Sequence, residues 1–204
     1  RLHLMRAVAE GRLDPAGDWE GLRQLGYRLV ARALERPGVS LIPDFCHVTP
    51  QGTIRRLSDD SHHSTSFSFD AMRLYWRLAL DCRLHGQAPG CEADLGFRAL
   101  LKLHQRDGTL FQAFALDGTP ESEDTSVSFY GALLPLLTVR APETAARLRR
   151  GPLSAKHLLS IAGQADRYYD LNWVWFGLAL TSGEISRNTA LPEAIMAAQK
   201  PAED

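Results

Sequence analysis

The sequence has almost no excess of charge of either sign. Its 23 Lys and Arg residues nearly balance its 24 Asp and Glu residues, which leaves a formal net charge of -1. Proteins that bind nucleic acid neutralise phosphates with an excess of basic side chains, and this composition offers none. A nucleic-acid partner is therefore not expected.

Long apolar runs are also missing. No run approaches the ~20 residues that a membrane-spanning helix needs, so no membrane span is expected. The opening residues, RLHLMRAVAEGR, contain neither the apolar core of a signal peptide nor an initiator Met. We therefore expect the chain to begin within a longer protein.

Cysteine is scarce, with only three residues in the chain. This number is too small for a disulfide scaffold, and the spacing is too wide for a Cys-x2-Cys zinc site. Cys82 and Cys91 bracket the turn RLHGQAPG, so the sequence fits either a single bridge or two free thiols. Cys46 is predicted to be a buried free thiol. The run at 59–63, DDSHH, is typical of a solvated loop, and neither a metal site nor a cofactor is expected.

Amphipathic helical periodicity dominates the rest of the chain, in which 45% of the residues are hydrophobic. A short hairpin is predicted around Pro50-Gln51-Gly52, and 109–116 alternates like a short strand or an extended loop. The predicted helices are 2–10, 18–34, 70–84, 92–105, 124–138, 142–149, 155–163 and 168–182, with a loose one at 192–199. We predict a single all-α domain over 1–204, with a loosely ordered tail at 186–204.

Residues 68–77, SFDAMRLYWR, follow a polar loop and open an aromatic helix. Helical spacing places Asp70, Arg73 and Trp76 close to one face. One interpretation is that Asp70 caps the first turn and pairs with Arg73. The other is that Asp70 is a catalytic carboxylate, and the residues alone leave both open.

Four stretches, in the right order, resemble motifs of glycoside hydrolase family 8. The segment SFDAMRLYWRLALD is similar to the family's Ser-x-Asp-Ala-x-Arg segment, and SLIPDF to its Gly-Leu-Val-Pro-Asp-Trp turn. The segment SVSFYGALLPLL resembles a Ser-Ala-Ala-Leu-Leu-Pro helix, and RYYDLNWVWFGLAL resembles the closing Tyr-Tyr-Asp helix. These motifs span nearly the whole chain but only the second half of the family's fold.

The resemblance implies an (α/α)6 toroid, here an incomplete barrel, and an inverting endo-β-1,4-glucanase that is periplasmic or secreted. It implies Asp70 as the general base, with Arg73, Tyr168, Tyr169 and Asp170 binding a β-glucan polysaccharide. The general acid, a Glu in the family's N-terminal half, is expected to lie outside this chain. Phe69 departs from the family, which has Tyr before the catalytic Asp, so any hydrogen bond from that phenol is lost.

Several alternatives stay open. Asp170 fits an N-cap as well as a substrate contact, and Asp44 fits turn chemistry first and a cleft contact second. The spacing of Trp173, Trp175 and Phe176 favours core packing. The sequence does not separate cellulose from chitosan or xylan, and cellulose-synthesis machinery is a further expected partner. A non-catalytic helical module that binds glycan or protein is the competing hypothesis.

Overall fold

The computed structural model describes residues 17–49, 53–55, 64–86, 89–92 and 94–185. The predicted helices at 2–10 and 192–199, the run at 59–63 and the tail from 186 lie outside these residues. The described helices are α1 (Gly17–Leu34), α2 (Phe69–His85), α3 (Pro89–Glu92), α4 (Phe97–Asp107), α5 (Val127–Arg140), α6 (Pro142–Arg150), α7 (Ala155–Ile161) and α8 (Tyr168–Ser182), with a 3-10 turn at Ala165–Arg167.

Two small antiparallel strand pairs connect the helices. Strands β1 (His47–Val48) and β2 (Ile54–Arg55) form the hairpin predicted around residue 50. Strand β4 (Phe114–Ala115) confirms the extended segment at 109–116, but it pairs with β3 (Ser66–Phe67), far upstream. This second pair ties the loop after α4 to the segment that leads into α2.

Helices α5 and α8 form the centre of the molecule, and both are apolar around most of their circumference. Every residue from Ser128 to Leu137 in α5 is buried. The helices cross at Gly131 and Gly177, where a Cβ on Gly131 would lie 2.5 Å from the carbonyl oxygen of Trp173. Only glycine lets the two backbones approach so closely.

Two helices begin later than predicted. Helix α4 starts at Phe97 instead of residue 92, because Leu95 and Gly96 have positive φ angles of 40° and 82° that interrupt the helix. Helix α5 starts at Val127 instead of residue 124, because the Ser126 side chain caps it by accepting the Ser128 N–H. A backbone conformation in the first case and a side-chain cap in the second set the start of the helix against the apolar periodicity.

The cysteines divide into one bridge and one free thiol. Cys82 and Cys91 form a disulfide, which resolves the open alternative and ties the end of α2 to α3. Cys46 is a free thiol, as predicted, but the prediction that it is buried was wrong, since it is exposed. The chain leaves the core after Asp44 and enters the exposed β1 hairpin, which explains the error.

The predicted fold class is confirmed as an all-α helix array with short strand pairs. Among the described helices, none combines the length and the apolar character needed to cross a membrane.

Candidate active site

Asp44 caps the helix that carries Asp70. Its Oδ1 accepts hydrogen bonds from the backbone N–H groups of Ser68 and Ala71, both at 2.8 Å. The Ser68 hydroxyl donates to the other oxygen. The first interpretation of Asp70 was therefore wrong about the cap, which comes from a residue 24 positions before Ser68. Asp44 satisfies N–H groups that have no partner within the helix.

Asp70 lies in the first turn of α2 and forms an ion pair with Arg73. Its Oδ1 is 2.8 Å from the Arg73 Nη1, and the two side chains are 31% and 33% exposed. The pairing predicted from the spacing of three is confirmed. A carboxylate with this exposure is held by a cation and still reaches solvent.

Tyr169, from the start of α8, completes the surroundings of Arg73. Its hydroxyl accepts from the Nε and Nη2 atoms at 3.4 Å and donates to the Phe69 carbonyl at 3.5 Å. Burial opposes the charged guanidinium, but the Tyr169 hydroxyl and the carboxylates of Asp70 and Asp44 outweigh it, so the pKa of Arg73 is raised. Arg73 is therefore a permanent cation here.

The N-termini of α2, α5 and α8 meet around the ring of Phe69. This ring lies edge-on to Phe129 at 5.4 Å and to Tyr169 at 5.5 Å between centroids. Phe69 opens α2, while Phe129 and Tyr169 lie in the first turns of α5 and α8. A helix N-terminus carries a partial positive charge, so this end of the array favours carboxylates.

Asp170 is a buried link between two of these helices. It is only 7% exposed. One carboxylate oxygen accepts from the Ser126 hydroxyl, and the other lies 3.1 Å from the Arg167 Nη1. Because Ser126 caps α5, this carboxylate joins the start of α8 to the start of α5. The N-cap interpretation was wrong, because Asp170 lies inside the first turn of α8, and the substrate contact stays a prediction.

Tyr168 differs from its neighbour in pointing outward, and 76% of it is exposed. Arg73 therefore contacts both Asp70 and Tyr169, while Tyr168, the residue before Tyr169 on α8, presents its ring to solvent.

An aromatic wall extends the site along α2 and α8. Trp76 donates its indole N–H to the Phe176 carbonyl at 2.9 Å, and its ring packs against Trp173 and Phe176. Core packing was thus the right interpretation for Trp173, which packs against the core, while the half-buried Phe176 contacts the other rings of this wall. The core-packing interpretation was wrong for Trp175, which is 56% exposed.

The sequence analysis gave no role to Ser126 or Arg167, and it did not predict that Asp44 caps α2. For Asp44 a signal existed, because SLIPDF is one of the four resembling motifs, yet turn chemistry was the simpler interpretation. No group of three or more potential metal-ligating residues lies within the part of the chain that the structure describes.

No family model matches this sequence, and no curated protein matches it. Solved structures do match its fold. An endo-1,4-D-glucanase from Vibrio fischeri ES114 aligns with a TM-score of 0.55 and 17% identity, over 76% of this chain and 41% of that one.

Two structures from Teredinibacter turnerae give a similar picture. A GH8 xylobiose complex has a TM-score of 0.51 and 18% identity, over 79% of this chain and 39% of that one. A GH8 xylanase, solved as a catalytic mutant in complex with xylohexaose, has a TM-score of 0.51, 17% identity and the same coverages of 79% and 39%.

At this level of identity the likeness establishes the fold, and it confirms the resemblance on which the expected toroid depended. Each matched structure is much longer than the part that this chain covers. The chain thus has the helical fold of glycoside hydrolase family 8 structures and spans about two-fifths of their length.

Proposed function

We propose that this chain belongs to glycoside hydrolase family 8 and carries the general base of an inverting endo-β-1,4-glucanase, with Asp70 in that role. The observation that carries the proposal is the Asp70–Arg73 pair at 2.8 Å, partly open to solvent beside aromatic side chains. A general base must be ionised and must reach water, and both conditions suit this carboxylate.

Inverting hydrolysis needs a water molecule between the base and the anomeric carbon. An acid on the other side of the sugar protonates the leaving oxygen, and the two carboxyl groups are about 6.5 to 9.5 Å apart. In the proposed mechanism Asp70 takes the proton of the attacking water, and Arg73 holds the carboxylate in place. The proposal assigns the base alone, and the acid is expected outside this chain.

Tyr168 and Tyr169 are proposed to bind the glycan. A sugar ring has an apolar face that stacks on an aromatic plane, and Tyr168 offers an exposed ring at the start of α8, next in the chain to Tyr169. The Tyr169 hydroxyl already contacts Arg73 and lies at the same helix end. The substrate-binding role predicted for Asp170 stays a prediction, and its burial favours an indirect contribution through Ser126 and Arg167.

A periplasmic or secreted location is part of the proposal. The Cys82–Cys91 disulfide supports it, because disulfides persist in oxidising compartments and are rare in the cytosol.

The test is the substitution Asp70→Asn in the full-length protein. Asn keeps the size of the side chain but cannot take a proton, so turnover should fall by ~10²- to 10⁴-fold while glucan binding changes little. Reducing-sugar release from carboxymethyl cellulose measures turnover, and NMR of the first product anomer measures inversion.

The matched control is Asp107→Asn, which alters another Asp–Arg pair, with Arg106 on α4. This variant should retain wild-type turnover. Wild-type turnover in Asp70→Asn would refute the assignment of the base and would favour the non-catalytic module. A product of retained configuration would refute the inverting mechanism.

A further inference from the structure

The carboxylate of Asp44 holds the first turn of α2 from outside the helix. Its Oδ1 binds the N–H groups of Ser68 and Ala71, which lie on either side of Asp70 along the chain. We propose that Asp44 is a positioning residue that sets the direction of the Asp70 carboxylate. This inference rests on the proposed function of Asp70.

The hydrogen bonds leave the first turn little freedom. Two backbone donors share one oxygen at 2.8 Å each, and the Ser68 hydroxyl binds the second oxygen. Bonds from a carboxylate to backbone N–H groups are charge-assisted and are stronger than bonds between neutral groups. Because the bonded residues bracket Asp70, a shift of this turn would move its carboxylate.

Asp44 is itself anchored to the core. Its N–H donates to the Ser66 carbonyl at 2.9 Å, at the start of β3. Leu41 and Ile42, just before it in the chain, are both buried. The N–H of Leu41 donates to the Leu116 carbonyl at 3.0 Å, next to β4. The position of Asp44 is therefore determined by the β3–β4 pair and by the core below it.

Asp44 also acts on the cation that holds Asp70. Its negative charge is one of the contributions that raise the pKa of Arg73, after those of Tyr169 and Asp70. Arg73 is therefore stabilised as a cation by two carboxylates, and one of them, Asp70, is the proposed general base. The other, Asp44, accepts from two backbone N–H groups and one hydroxyl.

Two substitutions separate the hydrogen bonds of Asp44 from its charge. Asp44→Ala removes both, and a displacement of the base by about 1 Å is enough to lower kcat by ~10²-fold. Asp44→Asn keeps a carbonyl oxygen that accepts the same N–H groups, so it should recover most of the lost turnover. Because Asp44 does not meet the substrate in this arrangement, KM should change little in either variant.

Asp94→Ala is the matched control. The Asp94 carboxylate accepts the Arg98 N–H at 2.8 Å and so caps α4, as Asp44 caps α2. Both alanine variants should lower the melting temperature, because each removes a helix cap. Only Asp44→Ala should lower kcat, measured well below the melting temperature on carboxymethyl cellulose. Hydrogen exchange of the Ala71 amide should become faster in Asp44→Ala and stay slow in Asp44→Asn.

The outcomes distinguish this inference from the proposed function. If wild-type protein hydrolyses glucan and Asp44→Ala keeps the wild-type kcat, the positioning role is refuted and the base assignment stands. A rise in KM with unchanged kcat would also refute it, because it would indicate substrate contact. If Asp70→Asn keeps wild-type turnover, the proposed function fails, and the catalytic part of this inference fails with it.

Discussion

Replacing Gly177 by Ala should destabilise the protein strongly, although alanine favours helices. The new methyl group would overlap the backbone carbonyl of Gly131 across the α5–α8 crossing. A side chain could relieve such an overlap by changing its rotamer, but backbone atoms in two packed helices cannot, so the helices must move apart. On the facing helix, the Cβ of Gly131→Ala would lie 2.5 Å from the Trp173 carbonyl oxygen, so we expect the same effect from that substitution.

The magnitude follows from that overlap. Ordinary contacts of a Cβ begin at 3.4 Å, so the 2.5 Å contact in Gly131→Ala requires the two backbones to separate by nearly 1 Å at that point, and the contact in Gly177→Ala is closer still. Overpacking of a core costs typically ~1 to 3 kcal/mol, and we expect the upper end of that range because the clash is with backbone. For a chain of this size, ~3 kcal/mol lowers the melting temperature by ~6 to 12 °C.

The matched control is Gly21→Ala, also inside a helix. No described atom lies within 4 Å of the position of its Cβ, so the higher helix propensity of alanine should stabilise the protein by up to ~1 kcal/mol. Thermal unfolding followed by circular dichroism and urea unfolding measure both variants. Equal melting temperatures for Gly177→Ala and wild type would refute the close crossing of α5 and α8.

Two further predictions concern pH and redox conditions. The pKa of His104 is lowered by burial and, to a smaller extent, by the nearby Arg147. His104 therefore takes up a proton near pH 6.5 in the unfolded chain but stays neutral there in the folded protein. The free energy of unfolding should therefore decline as the pH falls below about 6.5, and this decline should be smaller in His104→Gln. Urea unfolding midpoints measured against pH test this, and parallel pH profiles for wild type and variant would contradict it. The Cys82–Cys91 bridge closes a separation of nine residues, so its loss should cost ~3 kcal/mol and lower the melting temperature by ~6 to 12 °C. Dithiothreitol should lower the melting temperature of the wild type by this amount and leave that of the Cys82→Ser, Cys91→Ser double variant unchanged. Equal melting temperatures of the wild type with and without reductant would contradict the prediction.

Local signals were enough to predict most helices. Helix α8 has the predicted bounds, Tyr168–Ser182, because an apolar run ends there at Gly183, which has a positive φ of 89°. Helix α2 begins and ends within one residue of the prediction. Apolar periodicity together with a glycine stop determines such elements, whatever packs against them.

The partners of the charged residues could not be predicted in this way. Asp170 binds Ser126, 44 residues before it, and Asp44 binds the backbone of a helix that begins 25 residues after it. Both look like ordinary cap or turn residues because their own neighbours in the chain fit those roles. Trp173 and Trp175 both lie in the apolar run of α8. Only the packing of α2 against α8 covers Trp173, through Trp76, and leaves Trp175 exposed.

The contact between Phe69 and Tyr169 spans 100 residues, which has a consequence for synthesis on the ribosome. At ~5 to 20 residues per second, translation needs about 5 to 20 s to pass from one to the other. During that time the rings of Phe69 and Trp76 lack the surfaces that α8 later provides. The apolar rings of α2 therefore stay uncovered on this side during synthesis, and the candidate site can form only after α8 has been made.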